Sequence, residues 1–320
     1  THGVQPTDSH RISGTATGIT TDGERLGRKR RYGEGVGHLN WESRPGPGVT
    51  GSTRTVMVAA FSGWNDAGDA ASGTVDQLWD TWGARRIAFI DPDEFVDFTV
   101  SRPGVSVVAG VPDELSWPIT EIGWCSPRPD LSVVLVRSPE PQFRWRQYCG
   151  ALVDAADELG CSTVVVLGAM LSEVPHTREV PIFCTAHDEA ILEAVGLPAS
   201  DYDGPTGVPG ALEEAAHDRG LETLGLWAAL PGYAAGVPSP KGVQALVAQL
   251  VRMMDLEYDQ SALSEATREY SEQLDALGGE DEETAAYLAR LEEAYDAEGV
   301  ALGSAHRLVD EVESFLRDQG

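Results

Sequence analysis

Apolar residues gather in five short runs, Thr55 to Phe61, Arg86 to Ile90, Leu131 to Val136, Thr163 to Leu167 and Thr223 to Ala229. The runs are rich in Val and Ile and do not alternate strictly, which suits strands buried on both faces. Between them, Trp145, Tyr148, Cys149, Leu152, Val153, Ala156 and Leu159 recur every three or four positions and mark an amphipathic helix. Another helix opens with Ser239 as N-cap and Pro240 at its first position, then buries Val243, Leu246, Val247, Leu250, Val251 and Met254. Strands alternating with helices predict an α/β chain folded as a three-layer α/β/α sandwich around a largely parallel or mixed central sheet. The stretch 98–124 differs, because Pro103, Gly110, Pro112 and Pro118 divide it into short extended pieces that read as an antiparallel insertion.

The pattern fades at both ends of this body. Residues 1–53 hold few large apolar side chains and much Gly, Ser, Thr and Pro, with one basic run, Arg28 to Arg31. Such a segment cannot offset its ordering entropy and reads as a disordered tail. The α/β/α domain is expected over 54–256, followed by an acidic helical region over 257–320. There Leu263, Thr267, Tyr270, Leu274 and Leu277 form one stripe, Thr284, Leu288, Leu291 and Tyr295 a second, and Leu308, Val309, Val312, Phe315 and Leu316 a third. These stripes need a partner surface, either the body or a second copy, so a homo-oligomer is expected.

Charge narrows the partners. The 320 residues carry 51 acids and 23 bases, a formal charge of −28, which argues against nucleic acid because phosphate neutralisation needs clustered cations. No run approaches the ~20 apolar residues that span a bilayer, so the expected setting is cytoplasmic and away from membranes. Cys125, Cys149, Cys161 and Cys184 are far apart and read as reduced, buried thiols. Neither H-E-x-x-H nor an EF-hand loop occurs, and His187, Asp188 and Glu189 diverge around a helix, so no metal is expected. No nucleotide motif is recognisable, and no cofactor is expected.

Candidate chemistry sits in the loops after the strands, where open parallel sheets bind ligands. Asn65 and Asp66 follow the first run, as a pocket wall or as a helix-capping turn. Glu140 stands between Pro139 and Pro141 after the third run, held rigidly as an acid or base, or as a helix cap or Arg partner. His176 and Arg178 follow the fourth run and suit proton transfer and anion binding, with a structural hydrogen-bonding role for His176 as the alternative. Thr206 lies in Gly204-Pro205-Thr206-Gly207, which opens a helix whose free N–H groups could receive an anion. Right-handed crossovers predict that all six residues share one sheet edge.

The order of these motifs resembles a known family. Phe61-Ser62-Gly63-Trp64-Asn65-Asp66-Ala67-Gly68, Arg102-Pro103, Ser116-Trp117-Pro118, Pro139-Glu140-Pro141 with Trp145, Pro175-His176-Thr177-Arg178, Gly204-Pro205-Thr206-Gly207 and Pro238-Ser239-Pro240-Lys241 together resemble the proteasome assembly chaperone 2 family, in its actinobacterial branch with a helical C-terminal extension. The resemblance covers about residues 54–318 and implies a phosphorylase/hydrolase-like α/β/α body. It implies a chaperone-like, protein-binding role with proteasome-related or other protein partners. The second class of function is a small-molecule hydrolase or phosphorylase-like enzyme, with Glu140 and His176 catalytic and Asn65, Asp66, Arg178 and Thr206 binding the ligand. Side chains facing one another across a concave pocket would favour the enzyme, and a filled, hydrogen-bonded edge would favour the scaffold.

Overall fold

A computed structural model describes residues 38–44, 54–278 and 282–298. The basic run at 28–31 and the third C-terminal stripe at 308–316 lie outside them.

The five apolar runs are strands of one sheet. In chain order the strands are β1 (Leu39–Trp41), β2 (Arg54–Ser62), β3 (Arg85–Ile90), β4 (Gly104–Val108), β5 (Val111–Ser116), β6 (Thr120–Arg128), β7 (Leu131–Pro139), β8 (Thr163–Ser172), β9 (Ile182–Thr185) and β10 (Glu222–Pro231). Eight of them form a sheet in the order β1-β3-β6-β7-β2-β8-β10-β9. The four central strands β7, β2, β8 and β10 run parallel, and β6, β3 and β1 on one flank and β9 on the other pair antiparallel. The sheet is therefore mixed.

Helices α1 (Ala70–Thr81) and α5 (Pro240–Met253) cover one face, and α2 (Trp145–Glu158) and α4 (Val208–Asp218) the other. Each strand splits its side chains between the layers: in β2, Val56, Val58 and Ala60 face α1 and α5, while Met57, Ala59 and Phe61 face α2 and α4. Burial on both sides is why the sequence shows solid apolar runs there. The short α3 (Glu189–Val195) follows β9, and α6 (Ser261–Gly278) packs on α5 before α7 (Glu282–Glu298).

Two expectations are corrected. The insertion over 98–124 is not one unit: β4 and β5 make a separate hairpin, whereas β6 enters the main sheet between β3 and β7. Within the segment expected to be disordered, Leu39–Trp41 pairs with β3. The pairing continues past β1, where the Ile87 carbonyl of β3 accepts from the N–H groups of Glu42 at 2.8 Å and Ser43 at 3.0 Å, and Arg86 fastens the junction through Glu42 at 2.8 Å and Glu121 at 2.9 Å.

One buried acid in this frame is unusual. Glu213 on α4 lies against the middle of β10, where an added methyl at Gly225 would fall 2.5 Å from its Oε1. The Thr185 hydroxyl donates to Oε2 at 2.9 Å. Burial pushes the Glu213 carboxyl up to about 7, against a lowering by the Thr185 hydrogen bond. Because the folded value lies above the unfolded one, near 4.5, the folded chain holds a proton that the unfolded chain releases. The associated stability is complete below about pH 4.5 and is lost as pH rises through about 7. We expect Glu213→Gln to match the parent in urea unfolding at acidic pH and to exceed it by about 3 kcal/mol at alkaline pH. Parallel pH profiles for the two proteins would contradict this.

Candidate functional site

The carboxyl ends of the central strands carry two hydrogen-bonded groups. The first forms around Glu140. Its backbone N–H donates to the Ser62 carbonyl at 2.9 Å, continuing the β2–β7 pairing past the strand ends. Its Oε1 accepts from Asn65 Nδ2 at 2.8 Å and from the backbone N–H of Val208 at 3.1 Å. Val208 is the first residue of α4, so this carboxylate sits where the helix exposes unpaired donors and positive potential. The approach requires glycine at 207: a Cβ there would lie 2.0 Å from Asn65 Nδ2 and 2.6 Å from Glu140 Oε1. Asn65 is buried, and its carbonyl accepts from the N–H of Ala169 in β8 at 2.8 Å.

Asp66 turns the other way. Its Oδ1 accepts from the backbone N–H groups of Ala71 at 2.7 Å and Ser72 at 3.2 Å, and its Oδ2 from the Ser72 hydroxyl. It thus caps α1. Burial pushes its carboxyl above the usual range, and these hydrogen bonds partly offset that shift. Thr206 is exposed, one residue before Gly207.

The second group forms around the loop after β8. His176 is buried, with Nδ1 2.7 Å from the Tyr233 hydroxyl and Nε2 3.1 Å from Oδ1 of Asp275 on α6. A carboxylate only accepts, so Nε2 carries a hydrogen. Nδ1 lies against the Tyr233 hydroxyl, whose oxygen also accepts the His176 backbone N–H at 2.6 Å. Lys241, at the start of α5, donates its ammonium to the carbonyls of His176 and of Arg178, the latter at 2.6 Å. Burial pulls Lys241 below its usual value. Arg178 meets Asp296 of α7 through Nε at 2.8 Å and Nη2 at 2.7 Å, and Glu292 at 3.4 Å. Asp296 holds its guanidinium well above the usual range.

Of the six sequence candidates, Asn65 and Glu140 join the first group and His176 and Arg178 the second, while Asp66 caps α1 and Thr206 is exposed; among the described residues no hydrogen bond joins one group to the other. Reading the sequence missed the second group's partners. Tyr233 and Lys241 fall in recognisable Pro-flanked turns, but Asp275, Glu292 and Asp296 lie on helices nearly a hundred residues or more along the chain, where only their charge was visible.

The described cavity beside the second group is small. The cavity beside His176, Lys241 and Tyr270 is about 10 Å³, room for no more than one water. A larger groove of about 220 Å³, lined by His187, His217, Glu222 and Thr223, lies at the amino end of β10, away from these loops. Among the described residues no cluster of His, Cys, Asp and Glu suits a metal, and no helix is long and apolar enough to cross a membrane. The rim of the first group instead exposes aromatic side chains: Trp64, beside Asn65, is 62% exposed and Phe143, beyond Glu140, is 50% exposed.

The family model described as the PAC2 family matches residues 60–277, well over half of the chain. The chain belongs to the PAC2 family. A PAC2 family protein from Streptomyces avermitilis is 40% identical, with a TM-score of 0.68 over 73% of this chain and 99% of that one. A proteasome-assembly chaperone homologue from Mycobacterium tuberculosis is 39% identical, with a TM-score of 0.67 over the same shares. A Pyrococcus furiosus archaeal proteasome activator, 16% identical, shares the PAC2 fold with a TM-score of 0.61 over 75% of this chain and 97% of that one. No curated protein matches.

The carboxyl ends of the central strands thus carry two separate hydrogen-bonded groups. Replacing Glu140 by Ala strips the acceptor from Asn65 Nδ2 and from the Val208 N–H. We expect a loss of about 2 kcal/mol in urea unfolding. An unchanged midpoint would show that the carboxylate does not hold this edge.

Proposed function

We propose that this chain acts as a chaperone-like protein that binds other proteins, with proteasome core subunits as the partners, and catalyses no reaction. The observation that carries the reading is the occupied edge. Glu140 spends its inward oxygen on Asn65 and α4, and His176 spends both ring nitrogens on Tyr233 and Asp275. A general acid or base needs a substrate atom within hydrogen-bond reach, and the 10 Å³ cavity beside His176 admits none. Exposed aromatics over a rigid hydrogen-bonded base are the composition of a protein-binding surface. Likeness to the Mycobacterium tuberculosis proteasome-assembly chaperone homologue supports the choice of partner. The four unbridged, buried thiols suit a reducing cytoplasm.

The test is gel filtration of the full chain mixed with purified proteasome core subunits from the same organism. A subunit should co-elute with the parent, and Trp64→Ala with Phe143→Ala should weaken the complex by about tenfold or more while leaving the melting temperature near the parent's. A chain that elutes alone, with core assembly unaltered in rate, would overturn the reading.

Self-association is part of the same proposal. The β4–β5 hairpin leaves Val105, Val107, Val108, Val111 and Leu115 exposed, and a bare two-stranded hairpin is marginal in water. Sedimentation equilibrium of the chain alone should give a multiple of 34.2 kDa. A monomer mass at micromolar concentration would count against it.

A further inference from the structure

The two described C-terminal helices are fastened by different means. Helix α6 has an apolar attachment, with Leu263 in the core under α5 and Tyr270 and Leu274 packed on Ala234. On α7 the one described residue that belongs to the buried core is Leu291. Tyr287 meets the Tyr233 ring edge-on at 6.2 Å, and a set of polar ties converges on a single loop: Asp296 takes the Arg178 fork, Glu292 accepts from the Thr177 hydroxyl and from Arg178, and the Tyr295 hydroxyl donates to the Glu179 carbonyl at 3.1 Å. Helix α7 carries six acids and one base. It also begins at Glu282, beyond residue 277 where the family match ends, whereas His176, Arg178 and Lys241 lie within the match.

We propose that the Pro175–Glu179 loop, with Lys241 beneath it, is a binding site for an acidic helical segment of a partner protein, and that α7 is a built-in occupant that must leave before the partner docks. The proposal rests on the protein-binding reading and names the kind of segment bound and what holds the site closed.

The ligand class follows from what α7 presents. Glu292 and Asp296 are four residues apart on one helix face, so the loop reads two carboxylates one turn apart. Arg178 supplies the planar fork that grips one of them bidentately, and Thr177 supplies a hydroxyl to the other. A free monocarboxylate would fill half of this. Lys241 holds the two carbonyls of the loop from below, so the loop keeps its shape and a second positive charge when α7 is absent. Asp275, on the apolar-anchored α6, keeps His176 oriented.

The occupant is built to be exchanged. Ion pairs at partly exposed sites contribute little and weaken with salt, and elements with few buried contacts open at low free energy. Tethering compensates, because a covalently attached segment competes at a high effective concentration. A chain of charge −28 repels acidic proteins at long range, so such a partner binds only where this local cation cluster is uncovered.

The probe is a fluorescent synthetic peptide with the sequence of residues 282–298, added to the full chain and followed by anisotropy. The parent should bind it weakly. The chain with Glu292→Gln and Asp296→Asn should bind at least about tenfold tighter, and adding Arg178→Ala should remove the gain. A peptide carrying the same two neutral substitutions should not bind, and free glutamate should not compete. Hydrogen exchange provides the second readout. In the doubly neutralised chain the α7 amides should exchange about tenfold faster while those of β2 and β8 keep their protection, and raising salt from about 0.05 M to about 1 M should act on the parent in the same direction. Unchanged α7 exchange in the variant would overturn the occupant, and faster exchange without peptide capture would overturn the site. Peptide capture by a chain that binds no proteasome subunit would instead sink the choice of partner and leave this site standing.

Discussion

Oε1 of Glu140 is the point at which three separate loops meet. The residue is delivered by β7 and held between Pro139 and Pro141. The oxygen takes one hydrogen bond from the loop after β2 and one from the first N–H of α4. An unpaired helix N-terminus buried against a sheet would carry the full desolvation cost of its donors, and a carboxylate here meets both that need and the helix dipole. The absence of a side chain at Gly207 permits the approach. Once this cap is set, α4 is aimed so that Val208, Leu212 and Ala216 enter the layer shared with α2, and Glu213 is carried against β10. One loop junction thus helps to aim a helix of this layer.

That cap has a functional consequence. In an open sheet with parallel central strands, the crevice beyond their carboxyl ends is where ligands are held. Here Glu140 Oε1 and both ring nitrogens of His176 are taken up by bonds to neighbouring loops and helices. What remains for recognition is the outside of this edge, with Trp64 and Phe143 above it, together with the hairpin that projects from the flank. A rigid base beneath exposed aromatics lowers the ordering cost of docking another protein.

The legibility of the sequence follows the same physics. The doubly buried strands were readable because burial on both faces leaves no choice but Val, Ile, Leu and Ala, as in Val133 to Val136. Direction was not readable: Arg86 to Ile90 pairs antiparallel on both sides, and burial is indifferent to that. Strand β6 was hidden by Gly123, Ser126 and Pro127, although Gly123 is there because Trp79 of α1 fills the space a Cβ would need. β1 was hidden in a polar, Gly-rich stretch and exists through pairing with β3 and the Glu42–Arg86 bridge. At the candidate site, Asn65, Asp66 and Glu140 were legible because each directly follows a central strand. The partners of His176 and Arg178 were not, because they arrive from α6 and α7, and no local pattern announces a contact across about a hundred residues.

Helices α6 and α7 show how one composition supports two kinds of attachment. Both are acidic and amphipathic, and the sequence treats them alike. Helix α6 sets Leu263, Tyr270 and Leu274 into apolar surroundings, so it should open only with the body to which it is packed. Helix α7 has Leu291, the Tyr287 edge on Tyr233 and a pair of carboxylates over one arginine, and partly exposed ion pairs of that kind weaken with salt. The cations it covers belong to loops that the central sheet already fixes, so their geometry does not depend on the cover. A rigid cationic loop beneath a weakly held acidic helix is an equilibrium between self-binding and partner-binding, and its set point is adjusted by the charges on α7 without disturbing the sheet.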